Sequence, residues 1–375
     1  MLRASLRVVF LSDAMKGRNG VGTYYEDLVA HLRGRLERVE LIAPDKKRPA
    51  VEGFSVPIPG DATQRLYFPR YKRLPRILRE IDPHVVVIPT IGPYSVLGVW
   101  HARALGIPVC VGHHTDFERL AEMYCNRMMA GLSKPVLRWI CWALLRCGSG
   151  VATNNVDAAA TARRMGISDV RVVHTPIPKA FLDMPVKPLS PELQSVLYLG
   201  RLAPEKNIHQ VLQAAEELPH IRFVVCGDGP RRRFVERRAA KLPNLEYRGW
   251  LLRRQVMSAL DDADLLLLPS SIESFGTVAL EAFSRRRLAL VSPQCGIGDW
   301  PSLAENLFYI QPGESLSTAI QRVASLDHAV RDGYADRAVT AARSINKAAV
   351  EDWMELLSDL ASTGRLAPYP VRYAS

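Results

Sequence analysis

The chain has 375 residues, 48% of them hydrophobic and 23% charged, with a formal net charge of +11. That length exceeds one ordinary domain and suits two, each able to bury its own core. No stretch approaches the ~18 apolar residues of a membrane span, so a transmembrane helix is excluded and a soluble globular protein is expected. The six cysteines show no Cys-x-x-Cys pairing and lie in apolar surroundings, which argues for reduced thiols and against a disulfide frame or zinc site.

Taken in chain order, Met1 to Arg7 has the look of a signal-peptide start, but the apolar run behind it stops at Ser12-Asp13, too short for a hydrophobic region plus cleavage site. Apolar runs of strand length then alternate with helical patterns. Val8–Leu11, Val39–Ala43, Val85–Ile88, Val109–Gly112 and Gly150–Ala152 are the strands expected in the first half. After the first of them, Gly20-Val21-Gly22-Thr23-Tyr24-Tyr25 reads as a turn opening a helix, where glycine lets backbone come close to phosphate and the helix terminus offers free N–H groups. An ordinary strand-to-helix turn fits equally, and the third glycine of the dinucleotide fingerprint is missing. His113-His114-Thr115-Asp116 ends the fourth strand, with no further ligand cluster at zinc spacing, so no metal is expected there.

The charge is lopsided. Residues 1–185 carry 26 Lys+Arg against 16 Asp+Glu, whereas residues 186–375 carry 23 against 22. The excess gathers at Lys46-Lys47-Arg48, along Arg65, Arg70, Lys72, Arg73, Arg76 and Arg79, and at Arg163-Arg164, and points to an anionic membrane, a nucleic acid or an acidic substrate. Between Met128 and Leu145 the chain is rich in Trp, Leu and Met, with Lys134, Arg138 and Arg146 along it. It suits either a helix lying in a bilayer interface or a buried helix pair interrupted at Pro135. No basic platform interleaved with aromatics appears, which counts against nucleic acid.

Pro176, Pro178, Pro185, Pro188 and Pro191 mark a linker of about 15 residues. Beyond it the expected strands are Val196–Leu199, Arg222–Val225, Leu245–Tyr247, Leu265–Leu268 and Leu288–Val291. The whole pattern implies an α/β protein of two doubly wound domains facing one another across a cleft, with ligands at the carboxyl ends of the strands. The first domain is expected over 1–185, the second over 186–345, and a helix near Ala348–Leu360 belongs to a closing segment, 346–375.

The second half carries the sharpest chemistry. Arg201 and Lys206 follow its first strand, and a guanidinium fork with an ammonium suits the charge that builds up on a departing diphosphate. Gly227 and Gly229 form a Gly-Asp-Gly-Pro turn that either borders a nucleoside or is simply tight. In Pro269 to Glu281, an apolar strand gives way to a polar turn carrying Glu273, with Glu281 eight residues later in a helical pattern. That interval covers roughly 12 Å if helical, about the span from the sugar of a nucleotide-sugar to its ribose, with a helix N-terminus facing the diphosphate between them. Two glutamates at chance spacing are the alternative.

Val8 to Tyr25, His114 to Phe117, Gly200 to Asn207, Cys226 to Pro230 and Arg248 to Ala282 occur in the order found in family 4 retaining glycosyltransferases, and most of the chain resembles that family. The resemblance implies the GT-B fold, with a first domain for the acceptor and a second for the donor. It implies that Glu273 binds donor-sugar hydroxyls, that Glu281 holds the ribose, and that Arg201 and Lys206 meet the diphosphate. Ser274, Phe275 and Gly276 then lie against phosphate or sugar, and Gly227 beside the nucleoside. On the first domain it puts Gly22 and His114 beside the reacting centre and Asp116 on the acceptor side. The leaving phosphate takes the acceptor proton, so no base and nucleophile pair is needed, and neither metal nor cofactor is expected. A UDP-sugar is the expected donor ahead of a GDP-sugar. His-Thr-Asp-Phe is most similar to lipid glycosyltransferases acting on diacylglycerol or phosphatidylinositol. That implies a lipid acceptor and an enzyme peripheral to the inner face of the cell membrane.

A soluble acceptor would share every donor motif. The fold also serves epimerases and silent binding proteins, although the Glu-x7-Glu pair is not an epimerase hallmark. Two stretches depart from the family pattern. Ser284-Arg285-Arg286-Arg287-Leu288 replaces a Gly-x-Pro turn, and His174-Thr175-Pro176-Ile177-Pro178 replaces Asn-Gly-Val-Asp ahead of the linker.

Overall fold

The structure is a computed structural model and describes residues 3–15, 20–44, 52–58, 61–90, 92–114 and 127–366. The chain divides into two compact units. One takes the described residues up to Pro176 together with those from Asn346 onward, and the other runs Ile177–Ile345.

The first unit contains β1 (Arg7–Leu11), β2 (Arg38–Ile42), β3 (Glu52–Ile58), β4 (Asp61–Pro69), β5 (Val85–Ile88), β6 (Val109–Gly112), β7 (Gly150–Thr153) and β8 (Val170–Val172). Six of these form a parallel sheet in the order β2-β1-β5-β6-β7-β8. β5, β6 and β7 are buried at every position, as a parallel sheet covered by helices on both faces requires. Helix Gly20–Leu32 lays Tyr24, Leu28 and Leu32 on one stripe against that sheet. Helix Arg73–Ile81 buries Leu74, Leu78 and Ile81 at the same kind of spacing.

β3 and β4 form a separate antiparallel hairpin that the apolar runs do not predict. Its Phe54 stacks on Phe68 at 4.5 Å between centroids while remaining 63% exposed. Such a ribbon lacks the buried alternation that marks a core strand. Pro135 does not break the segment around it: Arg127–Cys147 is one helix.

The second unit contains β9 (Ser195–Leu199), β10 (Arg222–Cys226), β11 (Leu245–Gly249), β12 (Leu265–Leu268), β13 (Leu288–Val291) and β14 (Phe308–Tyr309). They form a parallel sheet in the order β11-β10-β9-β12-β13-β14. The order reverses between β9 and β12, so the loops leaving those two strands flank the crevice where doubly wound sheets bind ligands.

The proline-rich stretch belongs to this unit from Ile177 on, and the arginine run explains why. Arg285, 1% exposed, forks onto Asp261 at 2.8 and 2.9 Å and donates to the carbonyls of Phe181, Met184 and Pro185. Arg287 donates to the carbonyls of Lys187 and Pro188, and Arg331 to those of Ser190 and Pro191. Segments rich in proline leave carbonyls without helix or ladder donors, and buried guanidinium groups supply them. Arg286, at φ +60, turns the other way onto Asp332 and Asp336.

Helix His328–Thr363 starts well ahead of the expected Ala348. Its Ala335 sits in the core of the second unit, while Trp353, Leu356, Leu357 and Leu360 sit in the core of the first.

Candidate active site

The loop leaving β9 is held by main chain. Gly200 N donates to Cys226 O at 3.1 Å and Leu202 N to Asp228 O at 2.9 Å. A Cβ on Gly227, whose φ is +140°, would stand 1.8 Å from Gly200 O, so only glycine allows the loops after β9 and β10 to meet backbone to backbone. Gly227 and Gly229 thus have a packing reason independent of any nucleoside.

The same loop is tied to the one leaving β12. Asn207, in the left-handed region, donates through Nδ2 to Pro269 O at 2.8 Å, and Ser271 N donates to Glu205 O at 2.9 Å. These ties bring Lys206 Nζ to 2.7 Å from Glu273 Oε2 and 3.3 Å from Ile272 O. Arg201 Nη1 stands 3.2 Å from Glu205 Oε1. Glu273 is fixed at its backbone: it bridges to Cys295, and Gly296 N donates to its carbonyl at 3.1 Å. Gly276, at φ +90°, has room for no Cβ beside Cys295 Sγ, and it caps helix Thr277–Ser284 behind the buried Phe275.

Glu281 lies inside that helix and is 2% exposed. Its Oε1 is 2.6 Å from Arg253 Nη1, whereas its Oε2 has no hydrogen-bond partner among the described residues. Arg201, Lys206, Glu273, Ser274, Phe275, Gly276 and Glu281 therefore all sit on the two loops leaving β9 and β12 or on the helix that follows the second of them. The sequence reading missed Arg253, Cys295 and Ser270, whose Oγ donates to Glu273 Oε2 at 3.4 Å. Arg253 is one of two adjacent arginines at a helix start, and Cys295 acts through backbone pairing, so nothing in the sequence marks either as a partner of Glu281 or Glu273.

In the first unit Gly22 is buried within helix Gly20–Leu32, and Asp116 lies outside the described residues. His114 follows β6 and is buried, with Nε2 2.7 Å from Tyr25 Oη and Nδ1 3.0 Å from Asn154 Oδ1. Asn154 Nδ2 donates to Thr175 Oγ1, so its oxygen faces His114 and the imidazole proton is on Nδ1. Nε2 then accepts from Tyr25. Next to this chain of bonds, Trp353 Nε1 donates to Tyr24 Oη at 2.8 Å, Tyr24 Oη donates to His174 O, and His174 Nδ1 meets Asp352 at 2.7 Å. The altered stretch ahead of the linker is thereby bound to helix His328–Thr363, the crossover helix.

Burial lowers the His114 pKa to about 4, with the neighbouring His113 adding to the fall and the Asn154 bond opposing it. An unfolded histidine titrates near 6.5. The neutral ring's contribution is thus complete above pH 6.5 and is lost as pH falls toward 4. Between pH 7 and pH 5 the loss is about 2 kcal/mol. Chemical denaturation of wild type and His114→Gln at both pH values measures it, and the variant is expected to lose that much less stability on acidification.

Among the described residues no group of His, Cys, Asp or Glu is placed to hold a metal ion, and no helix is long and apolar enough to cross a membrane. A family model described as "Glycosyltransferase Family 4" matches residues 18–181, and one described as "Glycosyl transferases group 1" matches residues 183–344. An alpha-D-kanosaminyltransferase from Streptomyces kanamyceticus is 26% identical over 205 residues, 50% of this chain and 53% of that protein. A GDP-mannose-dependent alpha-(1-6)-phosphatidylinositol dimannoside mannosyltransferase from Mycobacterium tuberculosis is 31% identical over 141 residues, 36% of this chain and 34% of its own length. The matches thus span about half or less of these relatives. Among solved structures, the Anabaena protein HepE in complex with UDP-glucose superposes with a TM-score of 0.66 at 16% identity, covering 94% of this chain and 100% of HepE. Matched across both units, this chain belongs to glycosyltransferase family 4 and has the GT-B fold.

Proposed function

We propose that the protein moves a hexose from a nucleoside-diphosphate sugar to a hydroxyl of a membrane lipid, with retention at the anomeric carbon. The observation that carries the donor half is the cluster on the loops leaving β9 and β12. Lys206 there pairs with Glu273 and Arg201 with Glu205, and the buried carboxylate of Glu281 keeps one oxygen without a hydrogen-bond partner among the described residues. Arg201 and Lys206 stabilise the diphosphate as the C1–O bond breaks, without a metal ion. Glu273 holds sugar hydroxyls and Glu281 a ribose hydroxyl. The acceptor oxygen bonds to C1 on the face the diphosphate leaves, and its proton passes to the departing phosphate oxygen. His114 and Gly22 stand on the acceptor-bearing unit in this reading.

The lipid half rests on exposed aromatic side chains beside arginines in the first unit. Trp100 is 63% exposed and Trp139 64%, on helices Pro93–Ala104 and Arg127–Cys147, which pack together. Trp142 lies below the Arg146 guanidinium, and Arg103 binds the end of the second helix through Cys147 O. Large aromatics with a wet edge and neighbouring cations suit the headgroup layer of an anionic bilayer at the cytoplasmic face. The phosphatidylinositol dimannoside relative supports the same class of acceptor.

The test pairs labelled UDP-hexoses or GDP-mannose with vesicles of diacylglycerol and anionic phospholipid, with and without a chelator. Label in the organic phase that survives the chelator is the expected result. Label released only as free sugar, or moved to a water-soluble acceptor, would discard the lipid and keep the donor. Replacing Trp100, Trp139 and Trp142 together by alanine is expected to weaken vesicle binding roughly tenfold or more, leaving nucleotide affinity unchanged.

A further inference from the structure

The carboxylate of Glu281 is buried, yet among the described residues only one of its oxygens is engaged, by Arg253 at 2.6 Å. A buried carboxylate oxygen left without a donor is costly, and a bound hydroxyl would remove that cost. Arg253 itself stands in an unfavourable place. It is the first residue of helix Arg253–Asp261, whose first turn holds no acidic residue, so the cation faces the positive end of the helix dipole. Something outside that helix must hold it, and two contacts among the described residues contribute. One is the Glu281 pair. The other is the ring of Phe181, 5.5 Å below the guanidinium. Phe181 is buried in helix Lys179–Asp183, and its carbonyl is bound by Arg285 at 3.0 Å. The guanidinium therefore lies between a fixed aromatic floor and the carboxylate.

We propose that Arg253 is a positioning residue that occupies Oε1 of Glu281 and turns Oε2 toward a ribose hydroxyl of the nucleotide. The inference rests on the donor-site reading given above and adds to it a determinant of ribose recognition. A planar fork resting on an aromatic ring holds one orientation of its partner, which a flexible ammonium does less well. Arg253 thus sets the preference for ribose over 2′- or 3′-deoxyribose in the nucleotide.

Calorimetric titration of the full chain with UDP and GDP, and with the 2′- and 3′-deoxy forms of whichever binds, tests this. Wild type is expected to bind one ribonucleotide and to lose about tenfold or more in affinity for at least one deoxy form, the cost of a missing hydrogen bond to a charged group. Arg253→Ala is expected to bind the ribonucleotide about tenfold more weakly and to treat the ribo and deoxy forms alike within roughly threefold. Arg253→Lys, which keeps the charge, is expected to recover part of the discrimination, and a thermal melt of each variant checks the fold. If wild type binds neither nucleotide, or binds ribo and deoxy forms equally, the donor-site reading itself fails. If wild type discriminates and Arg253→Ala, folded, discriminates just as well, the role of Arg253 is overturned while the donor site stands.

Discussion

Glu273→Ala is expected to reduce sugar transfer about a thousandfold or more, near 4 kcal/mol of transition-state stabilisation, without unfolding the protein. The side chain has little share in the core. It reaches Lys206 at 2.7 Å and Ser270 at 3.4 Å, and its anchoring to Cys295 and Gly296 is through main chain that alanine retains. The substitution removes the charge that holds Lys206 in place as well as the acceptor for sugar hydroxyls, so kcat falls more than substrate affinity. Glu273→Gln separates the two contributions, since it keeps the size of the side chain and neutralises the pair. Initial rates with the donor identified by the vesicle assay, together with circular dichroism, give the measurement. Wild-type turnover in a folded alanine variant would remove Glu273 from the site.

Arg285→Ala is expected to destabilise the second unit by about 3 to 5 kcal/mol, the usual cost of removing one partner of a buried ion pair. It leaves Asp261, itself largely buried, without its fork, and it strips donors from the carbonyls of Phe181, Met184 and Pro185. Lysine cannot reach Asp261 and three carbonyls at once, so Arg285→Lys is expected to recover less than half of the loss. Thermal or denaturant melts of both variants decide it. An alanine variant melting with wild type would mean that the strapping of the proline segment contributes nothing to stability.

Much of the architecture is legible in the residues, for a physical reason. Strands buried on both faces, such as Val85–Ile88 and Leu265–Leu268, must be apolar throughout, and short apolar runs between turn residues stand out. β14, two residues long, and β8, three, carry too little pattern to be seen. The β3–β4 ribbon is half exposed and gives no strict alternation. At the site, Lys206 and Glu273 could be read because each closes a loop at a strand end where the fold gathers ligands, and glycines punctuate those loops. The arginine run at 285–287 reads in sequence as a lost turn, because Arg285 and Arg287 bind carbonyls about a hundred residues earlier and carbonyls leave no mark in a sequence. His114 was legible as a candidate. The Tyr25, Asn154 and Thr175 contacts that hold its ring neutral come from three different elements, and only their packing brings them together.

The crossover helix also dictates an order of events during synthesis. The sheet of the first unit is translated early, yet its core includes Trp353, Leu356, Leu357, Leu360 and Leu366, which leave the ribosome more than three hundred residues after β1. Among the described residues, the second unit is complete at Ile345, ahead of those side chains. The half made second is therefore the first able to finish folding, and the half made first must wait with an uncovered apolar face until the closing helix emerges. Throughout that interval the nascent chain presents Phe10, Tyr25 and Leu28 without their final cover, which makes the early half the natural client of holding chaperones.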